Sequence, residues 1–146
     1  MANTIDKDAF GPGSNLRDRL SFPTFGDCPH EDDLDHRYYS PPRRGSYLAT
    51  FKRHWCFLGE IVSVAKQPKL TMNARDTAGR IVRIEMISED GGLALAGACK
   101  VGRTVAVLHA LQHQFDNGVW GFVPETNPEV MVRSYPHKRL QQEFLS

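Results

Sequence analysis

A chain of 146 residues with 40 % hydrophobic and 24 % charged residues has the composition of a globular domain, which excludes fibrous, collagen-like and low-complexity classes. Its formal charge of +1 lacks the strong basic excess of dedicated duplex-binding proteins. No apolar run approaches the roughly 18 residues of a membrane span, and MANTIDKDAFGPG lacks the basic and apolar blocks of a signal peptide, so a cytosolic or nuclear location is expected.

Residues 1–46 carry most of the turn-formers, among them Gly11-Pro12-Gly13, Pro23, Gly26, Pro29, Pro41-Pro42 and Gly45, together with the acidic run Glu31-Asp32-Asp33-Leu34-Asp35. Six basic side chains stand against eight acidic ones there, whereas residues 47–136 hold ten against eight. A stretch with so little clustered apolar surface reads as an irregular, loosely docked extension. Phe10, Leu16, Leu20, Phe22, Phe25 and the pair Tyr38-Tyr39 are the side chains able to pin it to a domain.

From Tyr47 the apolar residues come in runs bounded by turn chemistry. A first strand spans about Cys56 to Lys66, with Gly59 near its start, where a bulge or sharp coil would let one strand serve both halves of a small barrel, and Gln67-Pro68 ends it. The second, Leu70 to Asp76, alternates: Leu70, Met72 and Ala74 on one face, Thr71, Asn73 and Arg75 on the other. Asp76-Thr77-Ala78-Gly79 turns into a third strand, Ile81 to Ser88, with Val82, Ile84 and Met86 inward and Arg83 and Glu85 outward.

Glu89-Asp90-Gly91-Gly92 stops that strand, and Leu93 to Ala98 favours a short helix plugging one end of the domain. The fourth strand is expected from Thr104 to Gln112, with Val105, Val107, His109 and Leu111 on one face. Asp116-Asn117-Gly118 is a strong hairpin signal leading to a fifth strand, Val119 to Val123, which Val130-Met131-Val132 extends after a loop. Lys138 to Leu145 has helical composition but is too short to be stable alone.

Three meandering strands, a helix and a hairpin outline a five-stranded, OB-fold-like Greek-key barrel over residues 47–136, after an irregular extension (1–46) and before a short tail (137–146). An SH3-like barrel or a distorted sandwich shares that element count.

The stretch from Tyr47 to Ile61, together with Gly102 to Val107 and His109 to Phe115, resembles the N-terminal domain of uncharacterised basidiomycete proteins that often carry a MYND-type zinc finger further on. The resemblance covers residues 47–136 and implies an OB-like domain of unassigned ligand. The finger's paired cysteines and histidines have no counterpart here, because the chain holds no Cys-x-x-Cys.

In an OB-fold, strands two and three with their flanking loops form the ligand face. Lys66, Lys69, Arg75 and Arg83 supply cations for phosphates and Phe115 an aromatic face for a base, so these five are the candidate nucleic-acid-binding residues. The two strands themselves offer no aromatic; Trp55, Phe57, Phe115, Trp120 and Phe122 lie elsewhere, and most of them are expected to fill the core.

His109-x-x-x-His113 would chelate a metal on a helix, but on a strand at about 3.3 Å per residue the pair stands roughly 13 Å apart. Cys28-Pro29-His30 with His36 lacks regular metal-ligand spacing. Cys28, Cys56 and Cys99 form neither a disulfide framework nor a four-cysteine site, and His54 beside Cys56 reads as a buried thiol rather than a catalytic pair. With no nucleophile elbow, Walker loop or Rossmann fingerprint, the expectation is a non-enzymatic binding module without cofactor or metal. Its expected partner is single-stranded nucleic acid or, alternatively, a protein, as in a scaffold domain.

Overall fold

The structure, a computed structural model, describes residues 17–45, 49–87, 90, 92–124 and 130–136. Phe10, Gly11-Pro12-Gly13, Leu16, the expected domain start at Tyr47 and the expected helical tail 138–145 lie outside the described residues. The elements are β1 (Tyr39–Ser40), β2 (Thr50–Phe51), β3 (Cys56–Ala65), β4 (Thr71–Arg75), β5 (Ile81–Glu85), α1 (Leu93–Ala96), β6 (Arg103–Leu108), β7 (His113–Gln114), β8 (Trp120–Phe122) and β9 (Val130–Pro136).

Strand β3 serves two partners. Its first half, Cys56 to Glu60, pairs with β6, and its second half, Glu60 to Ala65, pairs with β4. Gly59 permits the close approach of β4, since a Cβ there would stand 2.9 Å from the Ala74 Cβ. The register shift itself falls between Ile61 and Ser63, two residues beyond the glycine that the sequence marks for it.

The meander follows the alternation. Leu70, Met72 and Ala74 meet Val82, Ile84 and Met86 in the core, and β4 pairs with β5 from Thr71↔Glu85 to Arg75↔Ile81. The β4–β5 turn is closed by Asp76, whose Oδ1 accepts the Ala78 and Arg80 amides at 2.9 and 2.8 Å. Gly79 takes the left-handed φ of 86° that the turn requires. After β5, Leu95 and Ala96 of α1 pack against the same core.

Sheet order is β7-β8-β5-β4-β3-β6-β9, and β5 and β8 are parallel. The meander, the helix after its third strand, the β3–β6 pairing and the parallel β5–β8 pairing make the fold OB-like. Among the described residues the hydrogen bonding does not close into the expected five-stranded barrel. The fourth strand breaks at His109, where φ is 53°, and its halves β6 and β7 pair with β3 and β8 respectively. This leaves one edge of β6 free, and Val130–Pro136 occupies it antiparallel, with Val107↔Val130 and Val105↔Val132. Residues 130–132 therefore begin a strand at the opposite end of the sheet rather than extending the fifth strand.

Residues 17–45 carry a 3-10 turn at Phe25–Asp27 and strand β1, and Phe25 and Tyr38 are both 0 % exposed. The Phe25 ring packs 5.1 Å from Phe122 with the Arg80 guanidinium 4.6 Å above it, and its amide donates to Asp76 Oδ2 at 3.0 Å. The Tyr38 ring packs 4.4 Å from Trp55 at a tilt of 39° and donates its hydroxyl to the Leu20 carbonyl at 2.8 Å. Phe22 covers Cys56, Leu58 and Ala106 in a second small cluster, so the first half of β3 is buried on both faces. That explains the continuous apolar run Cys56-Phe57-Leu58 in place of alternation. Phe22, Phe25 and Tyr38 anchor this segment because these three rings are large and buried, whereas Leu20 is 39 % exposed.

Candidate nucleic-acid interface

The outer face of β4 and β5 carries the side chains that the pleat turns away from the core: Thr71, Asn73 and Arg75, then Ile81, Arg83 and Glu85. Asn73 stands opposite Arg83 and donates to the Ser63 hydroxyl of β3 at 2.9 Å. Glu85, directed outward by its position, is only 7 % exposed. Lys69 Nζ lies 2.7 Å from one of its carboxylate oxygens and Arg83 Nη2 lies 2.8 Å from the other, so two of the candidate cations cover it. Arg75 reaches Glu60 at 3.4 Å and remains half exposed. Lys66 is exposed just beyond β3 and makes no ion pair among the described residues.

Phe115 follows β7 and folds back onto this face. Its ring centre lies 4.9 Å from the Arg83 guanidinium and 5.0 Å from the His113 ring, which meets it edge-on. Gly121 makes the approach possible, because a Cβ there would overlap the Arg83 carbonyl oxygen and stand 2.9 Å from the Phe115 ring. The hairpin holding Phe115 is built by Asp116-Asn117-Gly118: the Phe115 amide donates to the Val119 carbonyl at 2.7 Å, and Asn117 Oδ1 accepts the Val119 amide at 3.1 Å. Pleat alternation leaves β4 and β5 without an aromatic, and tertiary folding brings one from β7.

Of the five candidates, the structure thus gathers Lys69, Arg83 and Phe115 around Glu85 and Gly121, with Arg75 one pair along the strands. Lys66 stands apart at the end of β3, where its charge acts on Cys99.

The histidines divide. His113 Nδ1 contacts Glu31 Oε1 at 2.6 Å, whereas His109 Nε2 lies 2.6 Å from His54 Nδ1. His109 also stacks on Phe51 at 4.0 Å with 16° between the planes. Sequence reading missed this ring cluster, because Phe51, His54 and His109 fall on separate elements. The one signal available was the density of aromatic and histidine residues from Phe51 to Trp55. Burial and the charge of His54 hold the His109 imidazole well down, at about 4. Cys28, Cys56 and Cys99 are buried and form no disulfide among the described residues, and burial pushes the Cys99 thiol up to about 11, away from nucleophilic chemistry. Among the described residues no helix is long and apolar enough to cross a membrane.

No protein-family model and no curated protein matches the chain. Among solved structures, a chain from the crystal structure of the S. pombe Stn1-Ten1 complex is similar at 14 % identity with a TM-score of 0.43, over 73 % of this chain and 80 % of that one.

Proposed function

We propose that the chain is a non-enzymatic OB-type binding module whose β4–β5 face takes single-stranded nucleic acid, with the Phe115 ring over Arg83 as the stacking surface. The single observation that carries this reading is the placement of Phe115 on Arg83 beside Lys69, Asn73 and Arg75. An aromatic face accepts any base, a guanidinium extends the stack, and neighbouring cations meet the phosphates. Glu85 and Glu60 offset part of that positive charge, which sets the expectation of weak, salt-sensitive binding.

Fluorescence anisotropy with labelled single-stranded oligonucleotides at low and moderate salt tests it. Binding that weakens steeply with salt is the expected result; silence at low salt, or binding indifferent to salt, overturns the proposal. The second reading, a protein-interaction or scaffold domain, is favoured by the two-residue ribbon β1–β2, whose Phe51 is 44 % exposed. A pull-down recovering no partner with a chain that binds oligonucleotides counts against it.

A further inference from the structure

The junction between β6 and β7 is held by an unusual set of contacts. His109 occupies the left-handed region with φ 53°, a conformation that costs free energy in a residue other than glycine and persists only where neighbours impose it. Its amide donates to the Trp55 carbonyl at 2.9 Å, and Trp55 Nε1 donates to the Ala110 carbonyl at 2.8 Å. Its ring is clamped between the Phe51 face and His54 Nδ1. Beyond the kink, Gln112 donates to the Cys28 carbonyl at 2.8 Å, and its amide donates to that of Pro29 at 2.7 Å. The hairpin β7–β8 thus begins from a junction whose first clamp is an imidazole pair.

A contact of 2.6 Å between two imidazole nitrogens needs one proton between them. One ring donates and the other accepts, and that arrangement survives when a single extra proton makes the donor an imidazolium. A second extra proton leaves two donors and two positive charges face to face, and the contact becomes repulsive. We propose that His54 and His109 form an acid-released latch, which holds the β6–β7 kink closed at neutral pH and lets it open when both imidazoles are charged.

Among the described residues, the surroundings contain nothing arranged to absorb that second charge. From β1, the phenol of Tyr39 packs on Phe51 and Trp55 and is held neutral by burial. Flanking His54, Lys52 is cationic and Arg53 is committed to Asp18 and Ser21 at 2.7 and 3.1 Å. Glu31 borders the same cavity as His109 but is engaged by His113. The charge that acts on His109 is that of His54.

Trp55 reports on the latch directly, because the His109 ring lies 5.1 Å from it and an imidazolium at that range quenches indole emission. The experiment is an acid titration of the full chain from pH 8 to pH 4 with Trp120→Phe removing the second indole, read by Trp55 emission, by the backbone amides of residues 109–114 and by far-ultraviolet dichroism. The expected result is a reversible emission change with its midpoint between the ordinary 6.5 and about 4. The amides of 109–114 shift with it, while the dichroism stays constant. His109→Asn abolishes the emission step, whereas His54→Gln keeps the His109 ring beside Trp55 but removes the facing charge, so its midpoint moves up toward the ordinary 6.5; Asn tolerates the left-handed region, and a cooperative melt at pH 8 establishes that either variant is folded. A step that survives in His109→Asn, an unmoved midpoint in His54→Gln, a wild-type chain with no step, or a step that coincides with loss of the dichroism overturns the latch. Oligonucleotide binding plays no part in these readouts, so they stand or fall independently of the proposed function.

Discussion

The guanidinium of Arg83 and the ring of Phe115 face each other at 4.9 Å, although they are separated by α1 and two strands in the sequence. The pairing turns a charged strand face into one with a flat hydrophobic surface. Phe115→Ala should weaken oligonucleotide binding about tenfold, within the roughly 1–3 kcal/mol assigned to one stacked base. Anisotropy at low salt checks it, and unchanged affinity in a folded variant would remove Phe115 from the interface.

Glu85 holds Lys69 and Arg83 at 2.7 and 2.8 Å. Glu85→Gln releases both cations toward phosphate, so affinity should rise at low salt and the salt dependence should steepen. A salt titration of wild type and variant decides the matter. Weaker binding by the variant would place the ligand elsewhere.

Gly121 and Gly59 are both closely approached, but by different neighbours. At Gly121 a Cβ overlaps the Arg83 backbone carbonyl, which cannot move without breaking the β5–β8 pairing, whereas at Gly59 it presses first on the Ala74 side chain at 2.9 Å. Gly121→Ala should therefore cost more than Gly59→Ala, about 3 kcal/mol at the upper end of overpacking. Denaturant unfolding of the two variants gives the comparison, and an equal or reversed order would contradict the tight β5–β8 approach.

Phe25→Ala should destabilise the chain by about 3–5 kcal/mol, the range for truncating a buried aromatic, because the ring is fully buried against Phe122. Thermal melting measures this. A loss within a few tenths would mean that residues 17–45 ride on the sheet without belonging to its core.

Two acid windows should separate. The His109 imidazole is held below its ordinary 6.5, so the unfolded chain binds more protons there; stability is complete above that value and falls as pH drops toward about 4. Asp35 is held below its ordinary 3.8 by the hydrogen bond from the Arg37 side chain, so its contribution is present above 3.8 and lost below it. Arg37→Met should alter only the lower window, and by less than about 1 kcal/mol because the Arg37 side chain is 44 % exposed and solvent screens the pair. Melting temperatures between pH 7 and pH 3 give both; a change confined to the upper window in Arg37→Met would reverse the assignment.

The meander was legible because Leu70 to Met86 alternates without interruption around a turn closed by Asp76 and Gly79. The hairpin at Asn117-Gly118 was equally plain. Phe25, Tyr38 and Trp55 were legible as aromatics but not as neighbours, and the pairing of Val130–Pro136 with β6 has no local signature. Arg75 and Arg83 were legible on strand faces and Lys66, Lys69 and Phe115 in the flanking loops; the ion pairs that tie Lys69 and Arg83 to Glu85 depend on rotamers and cross-strand reach that periodicity does not encode.

By itself, the amino-acid order determined which residues alternate, where the chain turns and which strand faces are polar, because these follow from neighbours one to four positions apart. Only the tertiary structure decided that the fourth strand breaks at His109, that β9 takes the free edge of β6, and that Phe115 lies on Arg83. Each of those outcomes rests on contacts between distant segments: an imidazole pair, an unpaired strand edge, and a glycine small enough to let a ring approach.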